Sequence, residues 1–208
     1  MVLLSSAAPA AAQRSARIEL ALPPATLRAV EEPRVRAVRV LSDARLRDLL
    51  RNGFPARLHW RVQVWSTRGW FDDLKGTVEW DVVVRYEPLE RLYEIVRIDA
   101  EGNPTPLGRT ADFAEVEAII ERPQRPPILP PRRRDRLYYN VSLDVEMLSV
   151  NDLDEVERWL RGEFRPAVRG ERNPGTAVTR GVKTVFARLL GAEKRHYEER
   201  SVRFDVSP

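Results

Sequence analysis

Acid–base chemistry in this chain would have to come from carboxylates and two histidines. Asp72 and Asp73 adjoin in a stretch that reads as a loop, and Asp144 and Glu146 fall on the wet face of a strand pattern. Paired carboxylates do hydrolytic work only where a cleft fixes their separation and pushes their pKa values apart. Adjacent acids on a loop or a strand face read instead as solvated charge. His59 and His196 lie far apart and in no metal-ligand or triad context, and no Ser sits in a nucleophile elbow. The chain has no Cys, which removes thiolate catalysis, Cys-ligated zinc, iron–sulfur clusters and disulfides. The expectation is a protein that is not an enzyme, with no catalytic residue, no metal and no cofactor. A hydrolase using Asp72, Asp73 or Asp144 in a cleft is the minor alternative.

Binding chemistry is better represented. Four of the five Trp (Trp60, Trp65, Trp70 and Trp80) fall within the first hairpin. Trp60 and Trp80 lie on apolar faces and read as core. Trp65 lies on the opposite face, and Trp70 and Phe71 fall in the connecting loop beside Asp72 and Asp73. That loop is either a partner-docking tip, since Trp and Tyr anchor interfaces, or a satellite cluster folded beneath it. Two basic patches add to this. Residues 122–136 hold six Arg, including Arg132, Arg133 and Arg134, against one Asp, and a second stretch from Arg165 to Arg200 carries Arg180, Lys183 and Arg188. Such patches suit an acidic protein face or anionic lipid headgroups. Nucleic acid is not expected, because no helix-turn-helix or RNP-like string is present.

The elements that would position these residues are strands with one apolar face. Residues 57–65, 78–86, 92–98 and 137–147 alternate cleanly, and shorter signals lie at 17–22, 35–40 and 197–205. Alternation of this kind means one buried and one solvated face, hence antiparallel pairing. Glu87-Pro88-Leu89-Glu90 reads as a tight turn. Helical patterns fall at Ala44–Arg51 after a Ser42 cap and before Gly53, and after Thr110 through Phe113, Val116, Ile119 and Ile120. Two more follow at 153–161 and 177–190. The last either caps the sheet or lies on a membrane surface. The predicted fold class is α+β: a mainly antiparallel sheet, meander or sandwich-like, with three to four amphipathic helices on one face. Residues 13–208 form one domain or two halves split at 122–136, where five Pro make an extended linker or a surface strap.

The chain's 208 residues, 43% apolar and 32% charged, suit a folded protein rather than a disordered or multi-span membrane chain. Residues 1–12 carry no charge, and Pro9-Ala10-Ala11-Ala12-Gln13 offers the small residues that a signal peptidase reads. This segment is either the remnant of a secretory signal or a disordered Ala-rich leader.

The string Leu49-Leu50-Arg51-Asn52-Gly53-Phe54-Pro55, then Trp65, Trp70, Asp72 and Trp80, carries a resemblance. It continues through Tyr86-Glu87-Pro88-Leu89, Leu92-Tyr93, Leu148-Ser149, Asp152-Leu153 and Trp159-Leu160-Arg161-Gly162. In order and spacing the chain resembles a family of exported bacterial proteins called domain of unknown function 4390, over about residues 17–164. Glu87 and Glu90 depart from that family's usual turn, Tyr-Asp-Pro-Leu-Thr. The resemblance implies a proline-rich, exported, periplasmic protein of unknown activity, and it supplies no catalytic residue. The functional expectation is a non-catalytic periplasmic accessory or scaffold protein, peripheral to the inner membrane. It would dock onto a membrane-associated complex such as a respiratory or photosynthetic one. The alternative is a periplasmic module binding lipid or another apolar ligand between sheet and helices.

Overall fold

Period-two alternation decides the architecture. In strand β3 (Ala56–Arg68) the side chains of Leu58, Trp60, Val62 and Val64 are each at most 1% exposed, while His59, Arg61, Gln63 and Trp65 face the other way and are half-buried. A strand with one such face must sit mid-sheet over a core. Residues 15–68, 71–131, 136–148 and 194–206 are described in a computed structural model of the chain. There β3 pairs antiparallel with β4 (Phe71–Glu87) on one side and β7 (Arg136–Met147) on the other. β5 (Leu92–Ile98) adds to β4, β6 (Pro104–Thr110) to β5, and β8 (Lys194–Arg200) to β7, giving the order β6-β5-β4-β3-β7-β8. β1 (Arg17–Ala21) and β2 (Arg34–Val38) form a separate two-stranded sheet.

The apolar face of the large sheet packs into one core with everything else. Ile18, Val35 and Ala37 come from the small sheet, Leu46 and Leu50 from helix α1 (Ala44–Arg51), and Phe113, Val116, Ile119 and Ile120 from helix α2 (Phe113–Ile120). At its centre Trp60 and Trp80, directly opposed across β3 and β4, stack with ring centroids 5.6 Å apart and planes 10° from parallel. Arg97 lies over the Trp80 ring at 5.1 Å. Helix α2 approaches β6 closely enough that a Cβ at Gly108 would lie 2.8 Å from Ile119 Cδ1.

Several sequence expectations are corrected. The α+β reading holds in its coarse form, as mainly antiparallel sheets with helices on the apolar face. The described residues contain two α-helices rather than three or four, and the expected helices at 153–161 and 177–190 lie outside the described residues. The cap of α1 is Asp43, not Ser42: its carboxylate accepts from the N–H groups of Arg45 and Leu46, while the Ser42 hydroxyl donates to the carbonyl of Arg39. At the other end Gly53, with φ +88°, closes a Schellman turn through Gly53 N–H to Leu50 O and Phe54 N–H to Leu49 O. Asp112, not Thr110, caps α2; the Thr110 hydroxyl instead accepts from the Asp112 N–H and donates to Glu115. β2 stops at Val38 because Arg39 turns to φ +56°.

β6 went unread because Pro104, Pro106 and Gly108 are poor strand formers; an edge position tolerates them. The first hairpin is longer than its alternation suggested, so Phe71, Asp72 and Asp73 belong to β4 rather than to a loop. β8 begins at Lys194 and ends at Arg200, after which Phe204 alone bridges back to Leu137.

The described part of the Pro/Arg-rich stretch is a strap against the fold. Gln124 exchanges both backbone hydrogen bonds with Val35 at 2.9 and 2.8 Å, and Ile128 enters the core. The carbonyl of Ile128 accepts from the Tyr139 hydroxyl at 3.2 Å, and burial pushes that phenol far above its ordinary pKa. No helix among the described residues is long and apolar enough to cross a membrane.

Truncating the central stack should show where stability lies. Trp60→Ala is expected to cost about 4 kcal/mol through lost burial and a residual cavity, whereas Leu89→Ala, at a turn residue 95% exposed, should cost under about 0.5 kcal/mol. Urea unfolding of both variants checks this; similar midpoints would refute the core assignment.

Candidate functional site

The distal end of the β3–β4 hairpin gathers the residues best suited to binding. A bulge at Val64/Trp65 shifts the pairing so that Trp65 opposes Leu74, and Lys75 is the extra residue of β4. Beyond it Thr67 opposes Asp72 and Arg68 opposes Phe71. On the other side of β3, Trp65 opposes Tyr138 of β7, and the two rings stack with centroids 6.5 Å apart and planes 6° from parallel. The Trp65 indole N–H donates to Gln63 Oε1 at 3.3 Å. The guanidinium of Arg200, from the end of β8, lies 4.5 Å from the centre of the Tyr138 ring. Leu74, opposite Trp65, is 43% exposed, and Phe71, at the tip and on the other face, is 80% exposed.

Asp72 ties the layer together. Its carboxylate accepts from the Tyr138 hydroxyl at 2.8 Å and from the Thr67 hydroxyl at 2.9 Å. Those two bonds, helped by the charges of Arg203 and Arg200, hold Asp72 below the ordinary carboxylate range. Burial, and then the bond to Asp72, push the Tyr138 phenol up, so it remains a proton donor. Asp73 has a separate partner, Lys75. The sequence neighbours Asp72 and Asp73 therefore do not form an acid–base pair; strand alternation sends them to opposite sides.

The polar face of the sheet carries a second organised group. Arg57, only 5% exposed, binds Asp81 through Nε–Oδ1 and Nη2–Oδ2 contacts of 2.9 Å each. His59 Nδ1 donates to the same Asp81 Oδ1 at 2.9 Å. The ladder continues outward with Glu146 at 4.0 Å from Arg57 and Lys194 at 2.7 Å from Glu146. His196 Nδ1 meets Asp144 at 2.8 Å, and Arg61 meets Glu79 at 2.5 Å. Burial alone would raise the Asp81 pKa, but the His59 bond and the Arg57 charge outweigh it and hold Asp81 below its ordinary value. Asp81 thus acts as an ionised acceptor. Among the described residues no group of three or more His, Asp or Glu is placed to hold a metal ion. A concavity of about 530 Å³ lies elsewhere, against β1 and β2, with Arg17, Glu19, Arg34, Arg36, Pro123 and Glu199 in its walls.

Of the residues singled out in the sequence, Trp65 and Phe71 both lie at the distal end of the hairpin, on opposite faces of the sheet. Trp70, Arg132, Arg133, Arg134, Arg180, Lys183 and Arg188 lie outside the described residues. Sequence reasoning missed Tyr138, Leu74, Arg200 and Arg203. One signal was available: Tyr138 is the lone aromatic on the polar side of the alternation at 137–147, and an aromatic there calls for a partner on that face.

The described chain is thus an antiparallel sheet protein with a helix-covered apolar face, an ion-paired polar face and an aromatic hairpin end. The family model described as Domain of unknown function (DUF4390) matches residues 36–153, and the chain belongs to that family. The matched region runs from β2 past the end of β7, narrower at both ends than the span the motifs suggested, and it leaves out β1 and β8. Comparison with curated proteins and with solved structures found no match.

The Asp81 network makes stability depend on pH in a defined direction. A carboxyl whose folded pKa is lowered contributes stability above its unfolded value, about 3.9, and loses it as pH falls through the folded value. Asp81→Asn should therefore cost about 3 kcal/mol near pH 7, because Arg57 loses its bidentate partner, and much less in acid near pH 2. Urea midpoints at the two pH values test this; an equal loss at both would rule out a charge origin.

Proposed function

We propose that the chain is an exported, non-catalytic accessory or scaffold protein that docks through the distal end of the β3–β4 hairpin onto a membrane-associated protein complex. The observation that carries this reading is the aromatic layer of Trp65, Tyr138 and Arg200, with Leu74 exposed opposite Trp65 and Phe71 exposed at the tip of the same hairpin. Interfaces draw most of their energy from a few aromatic and Arg anchors held in place before binding. Trp65 and Tyr138 are already locked by stacking and by the Asp72 bond, so little ordering remains to oppose association.

The carboxylates support a non-catalytic role, since Asp72, Asp73, Asp81 and Asp144 each already accept from a specific partner. The interior supports docking over an internal apolar ligand, because Trp60, Trp80, Leu143 and the α2 side chains occupy the volume between sheet and helices. Export rests on the small-residue run before Gln13, and a chain without Cys loses nothing in an oxidising compartment. An inner-membrane energy-transducing complex is one partner of the required kind.

Affinity purification of the tagged full chain from membranes in mild detergent tests the proposal. A stoichiometric protein partner is expected, with retention reduced about tenfold by Phe71→Ala together with Leu74→Ala. A lone monomer, or retention indifferent to the two substitutions, would overturn it.

A further inference from the structure

The six-stranded sheet has two rims, and their chemistry differs. One is β6, with Pro104 and Pro106. The other is β8, whose sequence Lys194-Arg195-His196-Tyr197-Glu198-Glu199-Arg200 contains neither Pro nor Gly. Among the described residues the backbone of β8 hydrogen-bonds to β7 alone. β1 approaches this rim without extending the sheet. A strand beyond β8 would lie two interstrand spacings, about 9–10 Å, from β7. β1 instead has Cα atoms within 8 Å of both β8 and β7, so it crosses beneath them on the apolar side, where Ile18 joins the core.

The ladder decides which backbone groups stand on the open edge. Ser201 N–H donates to the Tyr139 carbonyl at 2.9 Å, which makes these two a hydrogen-bonded pair. Pairing runs on from there without a shift to Glu146 and Lys194. Glu199, Tyr197 and Arg195 therefore bond inward to β7, and the N–H and C=O groups of Lys194, His196, Glu198 and Arg200 point outward.

We infer that a second copy of this chain pairs antiparallel along this edge, about a two-fold axis at Tyr197, joining two six-stranded sheets into one. His196 of one copy then exchanges both backbone hydrogen bonds with Glu198 of the other, and Lys194 does so with Arg200. Charge complementarity argues for this occupant. His196 opposes Glu198 and Arg195 opposes Glu199, each twice, while Tyr197 meets its own copy. The like-charged pair, Lys194 with Arg200, falls at the two ends. There Lys194 is held by Glu146 at 2.7 Å, and Arg200 lies 4.5 Å from the centre of the Tyr138 ring. Moving the register by two residues sets His196 on His196 or Glu198 on Glu198, and a parallel partner in register sets every charge on its like. Charged edges ordinarily repel a further strand; this order of signs admits one. The pair also closes on itself, because both outer rims are then β6. Its seam of seven residues, about 24 Å long, is small beside a standard interface, so the dimer should dissociate on dilution. Neither Phe71 nor Leu74 lies in it, so this association and the docking reading fail separately.

Sedimentation equilibrium of the purified full chain tests the inference. The mass should rise from 23.9 kDa towards twice that value between about 1 µM and 1 mM, and no further. Glu198→Pro removes an outward N–H at an edge position that tolerates Pro, and should leave a monomer at every concentration with wild-type circular dichroism. Tyr197→Cys probes the axis directly. A non-hydrogen-bonded pair brings Cα atoms to about 4.5 Å, within disulfide range, and the chain has no Cys of its own. On oxidation Tyr197→Cys should become a covalent dimer, and Val202→Cys, exposed and outside β8, should cross-link about tenfold more slowly.

A monomer across the whole range, a dimer that survives Glu198→Pro, or equal cross-linking at positions 197 and 202 would overturn the inference. Masses beyond twice the chain would overturn it too, since they mark open growth instead of a closed pair. If Glu198→Pro loses its circular dichroism, the two cross-linking rates decide.

Discussion

The stack of Trp60 on Trp80 is the interaction on which the rest of the fold depends. It sits at the centre of the longest strand pair and faces the core contributed by both helices and the small sheet. Because side chains alternate strictly, slipping β3 against β4 by one residue would turn one ring to solvent and bring a charged neighbour such as Arg61 or Glu79 inward. The two indoles thus do more than fill volume. They fix which residues of β3 and β4 reach the polar face and in what order, and the Arg57–Asp81–His59 group is a consequence of that register.

The two faces of the sheet are stabilised by different physics. The apolar face relies on burial alone, with no disulfide to help, and fills its space with large rings. The polar face relies on geometry: Arg57 is nearly excluded from water, and a guanidinium in that position is stabilised by Asp81, which meets it bidentately, with Glu146 4.0 Å away. The sequence holds only three Lys, and its abundance of Arg takes on a local meaning there. A Lys at position 57 could offer a point charge but not the planar fork that engages both oxygens of Asp81.

Most of the sheet was legible in the sequence because alternation is a local signal. The faces of β3, β4, β5 and β7 could be assigned residue by residue. What was not legible depended on context that a single chain does not encode locally. β6 carries prolines that forbid a central strand but not an edge, and nothing nearby says that β5 will have a free side. Asp43 and Ser42 are both good caps, and the choice was settled by the turn at Arg39, which engages Ser42. At the hairpin end the sequence marked Trp65 and Phe71 by type. The company of Trp65 with Tyr138 and Arg200 arises from pairing across β3, β7 and β8, which joins residues more than 60 positions apart. The bulge at Trp65, which sets Leu74 and Asp72 of β4 opposite Trp65 and Thr67, left no trace in the alternation at all.

The prolines of β6 have a consequence for how this protein behaves among its own copies. Pro104 and Pro106 occupy alternate positions, so their nitrogens point the same way, and in a strand already paired to β5 that way is outward. The rim of the sheet therefore lacks two of the donors that a further strand would need. A sheet rich in valine and aromatic residues invites edge-to-edge growth into fibres, and on this side the chain has removed the template for it. The residues that hid β6 from a propensity reading are the same ones that keep the sheet finite.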